Sequence, residues 1–209
     1  SALRLKLYVL GETLPLSASL PVFENLGLKV IAEDAFPVSL KSADGWTRDA
    51  MVLDFTMERA DSMGVALEEI AQPLEDAFHA VMRGDAESDG FNRLVMGAGL
   101  VWRDVVILRA IAKFLRQAGI TFSQDYMEQA LARNPQVARM LVELFHTRCQ
   151  PDEAADQAAV QARIETALGN VPSLDDDRII RRMRNVIANI LRTNFYQDGK
   201  PVIAFKLDS

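Results

Sequence analysis

The chain is poor in the residues that build most metal and redox sites. One cysteine, Cys149, and two histidines, His79 and His146, occur among 209 residues. A single cysteine forms no internal disulfide and no cysteine-based zinc site, which favours a reducing, cytoplasmic compartment. No run of 18 apolar residues is present, so the sequence predicts no membrane-spanning helix and no membrane partner. The N-terminal apolar stretch is also too short for a signal peptide.

The usual signatures of catalytic and nucleotide sites are absent as well. The glycines at 97 and 99 follow no strand and lack the spacing of a dinucleotide loop, and neither a P-loop nor a nucleophile elbow occurs. Each histidine adjoins a phenylalanine on an apolar helical face, which favours a packed side chain over a metal ligand or general base. His146 and Cys149 share a helical face, but no orienting carboxylate lies in that turn. The sequence therefore assigns no catalytic, cofactor-binding or metal-binding residue.

Two clusters of charge have simple interpretations. The acidic stretch from Asp85 to Gly90 resembles the opening of a calcium loop, but the position of the bidentate glutamate is Met96. We interpret it as a solvated connection between helices. Four arginines between 178 and 184 could hold an anion, but three aspartates at 175–177 lie one turn away. Mutual ion pairing on a helix surface is the simpler interpretation.

Charge is distributed unevenly along the chain. The net charge is −6, with about nine excess negative charges in residues 1–90 and about three excess positive charges in residues 91–209. An acidic chain is a poor candidate for nucleic acid, because affinity for phosphate requires a basic surface. We therefore expect no nucleic-acid partner, and we expect the two parts to differ in structure.

The apolar residues, 49% of the chain, are sufficient for a buried core. Residues 3–9 alternate apolar and polar side chains, which predicts a strand with one buried face. A helix, two strands and a second helix follow, in the order that begins a ferredoxin-like unit. From residue 84 the pattern is helical and centres on 102–117, where only Arg109, Lys113 and Arg116 form a polar stripe.

The alternating segment 202–207 predicts a last strand, which must find a partner. The sequence offers no other sheet, so we expect it to pair with residues 3–9. This predicts an α+β fold: a small ACT-like, ferredoxin-like antiparallel sheet with a large helical insertion and a C-terminal strand that returns to the sheet. The corresponding domains are an α+β subdomain, 3–83 plus 200–208, and a helical subdomain, 84–199.

Several long stretches resemble the large bacterial NAD-specific glutamate dehydrogenase family. The segments that carry this resemblance are LRLKLYVLGETLPLSASLPVFENLGLKVI, DGFNRLVMGAGLVWRDVVILRAIAKFLRQAG, FSQDYMEQAL, LVELFHTRCQP, LDDDRIIRRMRN and LRTNFYQDGKPVIAFKLDS. The resemblance implies a segment of a longer polypeptide, upstream of the dehydrogenase domain and among ACT-like regulatory modules. An excised segment fits both ends of the chain, with the first two residues as a cloning scar.

The resemblance implies an enzymatic activity for the parent polypeptide as a whole. The parent would oxidise L-glutamate with NAD and water to 2-oxoglutarate, ammonium and NADH, in the cytoplasm and as a homo-oligomer. None of the lysines lies in the glycine-rich context of the family's catalytic lysines. We therefore expect no catalytic residue, no cofactor and no dehydrogenase activity in this segment alone.

Two roles for the segment remain open. It is either an architectural segment that packs against other domains of the same polypeptide, or an ACT-like sensor that binds an amino-acid effector. ACT modules generally bind ligands near the first strand-to-helix turn, so the resemblance implies an effector site at Gly11 and Glu12. The turn also has a simple explanation, because Gly11 supplies backbone freedom. The architectural role is favoured, because this turn lacks an obvious cradle for an anion.

Overall fold

The computed structural model describes residues 3–11, 14–41, 43–60, 66–150, 156–197, 200 and 202–208. The chain forms two compact units, Ser1–Met63 and Gly64–Ser209. This division places the helix that follows residue 66, and residues 200–208, with the helical part of the chain. The predicted division had grouped both with the sheet.

The first unit is a three-stranded antiparallel sheet with one helix. Its elements are β1 (Leu3–Leu10), α1 (Leu16–Asn25), β2 (Leu28–Lys41) and β3 (Thr47–Arg59), and the strand order is β1-β3-β2. β2 is an edge strand, which is compatible with Pro37 because proline has no N–H to donate to a neighbouring strand. Gly27, at φ +83°, ends the α1 turn in the left-handed conformation that favours glycine.

One face of this sheet forms the core of the unit. The apolar residues of β3 alternate inward, and Leu5 and Leu7 of β1 lie opposite Phe55 and Leu53. Phe23 of α1 packs against Phe55 with ring centroids 5.0 Å apart, and both rings are fully buried. The period of two therefore sets the register, because a slip of one residue would expose this apolar set.

The second unit is helical except at its end. Its helices are α2 (Leu67–Met82), α3 (Arg93–Ala98), α4 (Trp102–Gln117), α5 (Gln124–Arg133), α6 (Pro135–Cys149), α7 (Gln157–Leu168) and α8 (Leu174–Ala188). Ser123 and Ser173 cap α5 and α8, because each hydroxyl accepts a hydrogen bond from the backbone N–H three residues on. α4 has the buried position that its composition predicts.

The predicted return of the C-terminal strand to the N-terminal sheet is wrong. β5 (Phe205–Leu207) pairs antiparallel with β4 (Ile190–Thr193) in a separate two-stranded sheet. The apolar spacing of α8 continues to Ile190 in the sequence, but α8 ends at Ala188 and Ile190 begins β4. The backbone of β5 therefore finds its partner in the helical unit, and the described edge of β1 away from β3 carries no strand.

Candidate functional site

A buried arginine organises the connection between α2 and α4. The Arg109 Nε donates to Asp89 Oδ2 at 2.6 Å, and its Nη2 donates to Asp89 Oδ1 at 2.8 Å and to Asn92 Oδ1 at 2.5 Å. The side chain of Arg109 is 4% exposed, although the sequence pattern placed it on a polar stripe. Such a fork is among the strong charge-assisted arrangements available to arginine.

The Asp89 end of the acidic loop is therefore anchored, whereas Asp85 and Glu87 are exposed, as a solvated connection predicts. The guanidinium of Arg109 occupies the centre of the loop, where it also lies 3.3 Å from the Glu87 carbonyl oxygen. The Gly90 N–H donates to Glu128 Oε2 of α5 at 3.1 Å, and Gln124 donates to the other oxygen of that carboxylate. Burial raises the pKa of Glu128. Arg109 thus bonds α4 to the loop, and Glu128 bonds the loop to α5.

A second polar chain joins three separate elements of the unit. The His146 ring on α6 lies 2.9 Å, through Nε2, from Asp104 Oδ1 on α4. Its Nδ1 lies 2.8 Å from the Tyr196 hydroxyl, which follows β4. In the neutral ring, the carboxylate selects the tautomer with the proton on Nε2, and Nδ1 then accepts from the Tyr196 O–H. Sequence spacing missed this arrangement, since Asp104 lies 42 residues from His146.

The Asp104–His146–Tyr196 chain lies in a cluster of aromatic rings. Phe145 contacts the rings of Phe195, Tyr196 and Phe205 at centroid distances of 5.4, 6.4 and 5.9 Å. His146 is packed against aromatic rings, as predicted, and its ring also has two polar partners. These contacts pack the β4–β5 sheet and the turn after β4 against α6.

Other polar contacts join α5 and α6 to the last third of the chain. Arg133 Nη2 donates to Asp176 Oδ1 at 2.7 Å, and the Asp176 side chain is 2% exposed. The hydrogen bond from Arg133 lowers the pKa of Asp176. Arg148 Nε donates to the Ile190 carbonyl at 2.7 Å, which fixes the start of β4. α5 is therefore bonded to the start of α8, and α6 is bonded to the start of β4.

The remaining candidate groups have structural partners. Arg178 pairs with Asp175 and Arg181 with Asp177, as predicted. Arg184 pairs instead with Glu165, which also contacts Arg181. Burial raises the pKa of the Cys149 thiol, a change that lowers its reactivity at neutral pH. Across the described ranges, no group of three His, Cys, Asp or Glu side chains could hold a metal ion. Nor does any described helix have the length and apolar character to cross a membrane.

The predicted effector position at the first turn is only partly described. Gly11 has φ +82°, and its N–H donates to the Asp49 carbonyl at 3.0 Å, so this amide is engaged within the sheet. Glu12 lies outside the described residues. Nearby on the sheet, Arg4 and Lys6 both contact the buried Asp54, at 2.7 and 3.6 Å. The effector site stays a prediction.

Family models match three consecutive regions of the chain. Residues 1–70 match the glutamate dehydrogenase ACT3 domain, and residues 86–151 match glutamate dehydrogenase helical motif 3. Residues 163–209 match the catalytic domain of bacterial NAD-glutamate dehydrogenase. The last match corrects one expectation, since it restricts the predicted position upstream of the dehydrogenase domain to the residues before 163.

Whole-chain comparisons agree with these regions. The NAD-specific glutamate dehydrogenase of Halomonas elongata is 41% identical over 216 residues, which cover 100% of this chain and 13% of that protein. The proteins of that name from Pseudomonas aeruginosa and Mycobacterium tuberculosis are 40% and 35% identical over 99% and 95% of this chain. The chain spans about an eighth of the length of each of these relatives. Together the matches show that this chain belongs to the bacterial NAD-specific glutamate dehydrogenase family.

Proposed function

We propose that this chain is a regulatory and architectural segment of an NAD-dependent glutamate dehydrogenase. The whole enzyme would convert L-glutamate, NAD and water to 2-oxoglutarate, ammonium and NADH in the cytoplasm, as a homo-oligomer. NAD would bind elsewhere in the polypeptide, and the partners of this segment would be other domains of the same protein. The segment itself would hold the beginning of the catalytic domain in position.

One observation carries the architectural role. The region that matches helical motif 3 and the region that matches the catalytic domain lie in one compact unit. Polar contacts cross between them at Arg133–Asp176, Arg148–Ile190 and His146–Tyr196. Directional bonds at several points fix both the position and the orientation of the bonded elements. Displacement of α5 or α6 would therefore also displace α8 and the β4–β5 sheet.

The test compares two arginine substitutions in the full-length dehydrogenase. Arg133→Gln removes the charge that pairs with buried Asp176, whereas Arg178→Gln changes an exposed pair, with Asp175, at 3.5 Å. We expect Arg133→Gln to lower the temperature at which glutamate-dependent NADH production is lost, with little change for Arg178→Gln. Equal inactivation temperatures for both variants and the wild type would contradict the architectural role.

The catalytic part of the proposal has a separate test. The full-length protein should reduce NAD in the presence of L-glutamate, and the isolated 209-residue chain should produce no NADH above a buffer blank. NADH production by the isolated chain would show that a catalytic site lies within it. Lack of glutamate-dependent NAD reduction by the full-length protein would contradict the activity itself.

The alternative is an ACT-like sensor that binds an amino acid and controls the enzyme. The match of residues 1–70 to an ACT3 domain favours it. Thermal unfolding of the chain in the presence of individual amino acids separates the two roles, because a ligand at ten times its Kd adds about 1.4 kcal/mol of stability. A stabilising amino acid whose effect disappears in Glu12→Ala would support the sensor and the site at Gly11 and Glu12.

A further inference from the structure

A cavity of about 400 Å³ opens within the helical unit, beside the first half of α4. Trp102, Arg103 and Val106 line it from α4, and Phe195, Lys200 and Ile203 line it from the last part of the chain. A second cavity, of about 460 Å³, shares Val106 and Ile203 with it. These volumes lie within the range of sites that bind small molecules.

Two aromatic rings contact Arg103, a cation in the lining of the 400 Å³ cavity. The guanidinium carbon of Arg103 lies 5.6 Å from the centroid of the Trp102 ring and 5.4 Å from that of Phe195. Within the described part of the chain, no carboxylate lies within ion-pair distance of Arg103. Stacking restrains the side chain but leaves its N–H donors to other acceptors. Among the described residues, the one acceptor that Arg103 contacts is the Phe195 carbonyl oxygen, 3.5 Å from Nη2.

Apart from Lys200, the other described charges that line the two cavities are paired. Arg109 is bonded to Asp89, Lys113 to Glu87, and Asp85 to Arg83. Lys200 adds a second cation to the lining of the 400 Å³ cavity. Among the described residues that line this cavity, the two cations outnumber the one carboxylate, Asp85.

Apolar side chains form one part of the cavity wall, beside the polar Asp85 and Asn194. Val106, Val202 and Ile203 supply aliphatic surface next to the Trp102 and Phe195 rings. A stacked guanidinium beside an apolar wall is suited to an acid that also carries a hydrocarbon chain, because the two parts of such a ligand meet different surfaces. A bare inorganic anion would use only the charge.

We propose that this cavity binds a small carboxylic acid, with its carboxylate on Arg103 and its aliphatic chain on Trp102, Val106 and Ile203. Its walls come from both the helical-motif and the catalytic-domain regions. Occupancy would therefore bridge the two regions that the architectural proposal joins. The binding site goes beyond that proposal, and its failure would leave the architectural role intact.

Trp102 provides a direct measurement of binding. The chain has two tryptophans, and Trp46 lies at an exposed turn of the sheet unit, so Trp46→Phe leaves Trp102 as the only indole reporter. This variant is titrated with 4-methylpentanoate, with its neutral amide and with inorganic phosphate, at constant ionic strength. We expect a saturable change in Trp102 fluorescence with the carboxylate, and at least tenfold weaker responses to the amide and phosphate.

The residue test uses two arginines of the same helix. Arg103→Gln should weaken carboxylate binding by about tenfold or more, because a hydrogen bond to a charged group is lost. Arg116→Gln removes an exposed charge outside both cavities and should bind like the parent variant. Thermal melts establish that each variant is folded. No saturable response, equal affinity for the amide or phosphate, or unchanged affinity in a folded Arg103→Gln variant would each overturn the proposal.

Discussion

Arg109 and Asp89 form a two-pronged ion pair with donor–acceptor distances of 2.6 and 2.8 Å, and both side chains are largely withdrawn from water. The pair joins α4 to the loop that precedes α3. Removal of one member of such a pair leaves the other as an uncompensated buried charge. This pair should therefore contribute far more to the stability of the helical unit than the exposed ion pairs around it.

The first prediction follows from that pair. Arg109→Met keeps most of the aliphatic volume but leaves Asp89 without its cation, so it should lower the free energy of unfolding by about 3–5 kcal/mol. Urea denaturation followed by Trp102 fluorescence measures this change. Arg116→Met, on an exposed position of the same helix, should stay within about 0.5 kcal/mol of the wild type. Similar losses for the two variants would contradict the role of the buried pair.

The core of α4 gives the second prediction. Leu108 is fully buried, so Leu108→Ala should cost about 2–5 kcal/mol, according to how far the cavity can collapse. Val101→Ala, at a position 46% exposed, should cost much less. A loss below about half a kcal/mol for Leu108→Ala would mean that α4 lies outside the core.

Local patterns predicted most of the elements but few of the long-range contacts. The apolar residues of β1 and α4 recur with periods of two and 3.6, which predicts a strand and a helix. Ser123 and Ser173 mark the starts of α5 and α8. β4 was missed because Ile190 continues the apolar stripe of α8 in sequence. A strand this short has too little pattern to distinguish it from a helix end. Its identity depends on β5, which follows more than ten residues later.

The polar site could not be predicted for a related reason. Arg109 has the spacing of an exposed stripe, and its burial depends on the distant acidic loop. The acidic loop itself was a usable signal, because an acidic cluster with no metal requires another cation if it is buried. The Asp104–His146 contact had no local signal, since it requires α4 and α6 to be adjacent.

The third prediction concerns pH and two carboxyl groups of opposite behaviour. The native pKa of Asp176 lies below its ordinary value of 3.8, chiefly because Arg133 donates to it. Its stabilising contribution is therefore present above the unfolded-state pKa and is lost as pH falls through the native pKa. The native pKa of Glu128 lies above 4.5, chiefly because of burial, so its contribution is present at low pH and is lost as pH rises through the native pKa.

Two substitutions test these opposite signs. The cost of Asp176→Asn should be largest near about pH 7 and should shrink toward about pH 3. Glu128→Gln should change in the other direction and become relatively more favourable as pH rises from about 4 to about 7. Urea unfolding across this range measures both variants against the wild type. Parallel pH profiles for the two variants would contradict the assigned environments.

The fourth prediction concerns the Tyr196 hydroxyl. Tyr196→Phe removes the hydrogen bond to His146 Nδ1 but keeps the ring that stacks on Phe145, so it should cost about 1 kcal/mol. The same change in a His146→Phe background should cost less, because the acceptor is already absent. Tyr8→Phe, at a position 76% exposed, serves as the control and should have little effect. Additive costs in the double variant would show that the two residues are not coupled.

The last prediction tests the partner of the C-terminal strand. β5 pairs with β4, and the Asn194 side chain also bonds to the Val202 carbonyl and the Ala204 N–H. Deletion of residues 202–209 removes all of these partners together with the Phe205 ring that contacts Phe145. Hydrogen exchange should therefore speed up at the amides of β4, because a strand without its partner exposes its backbone to water. The amides of β1 should keep their protection, since their partners lie in β3. Loss of protection in β1 with β4 unchanged would instead restore the pairing that alternation in the sequence first predicted.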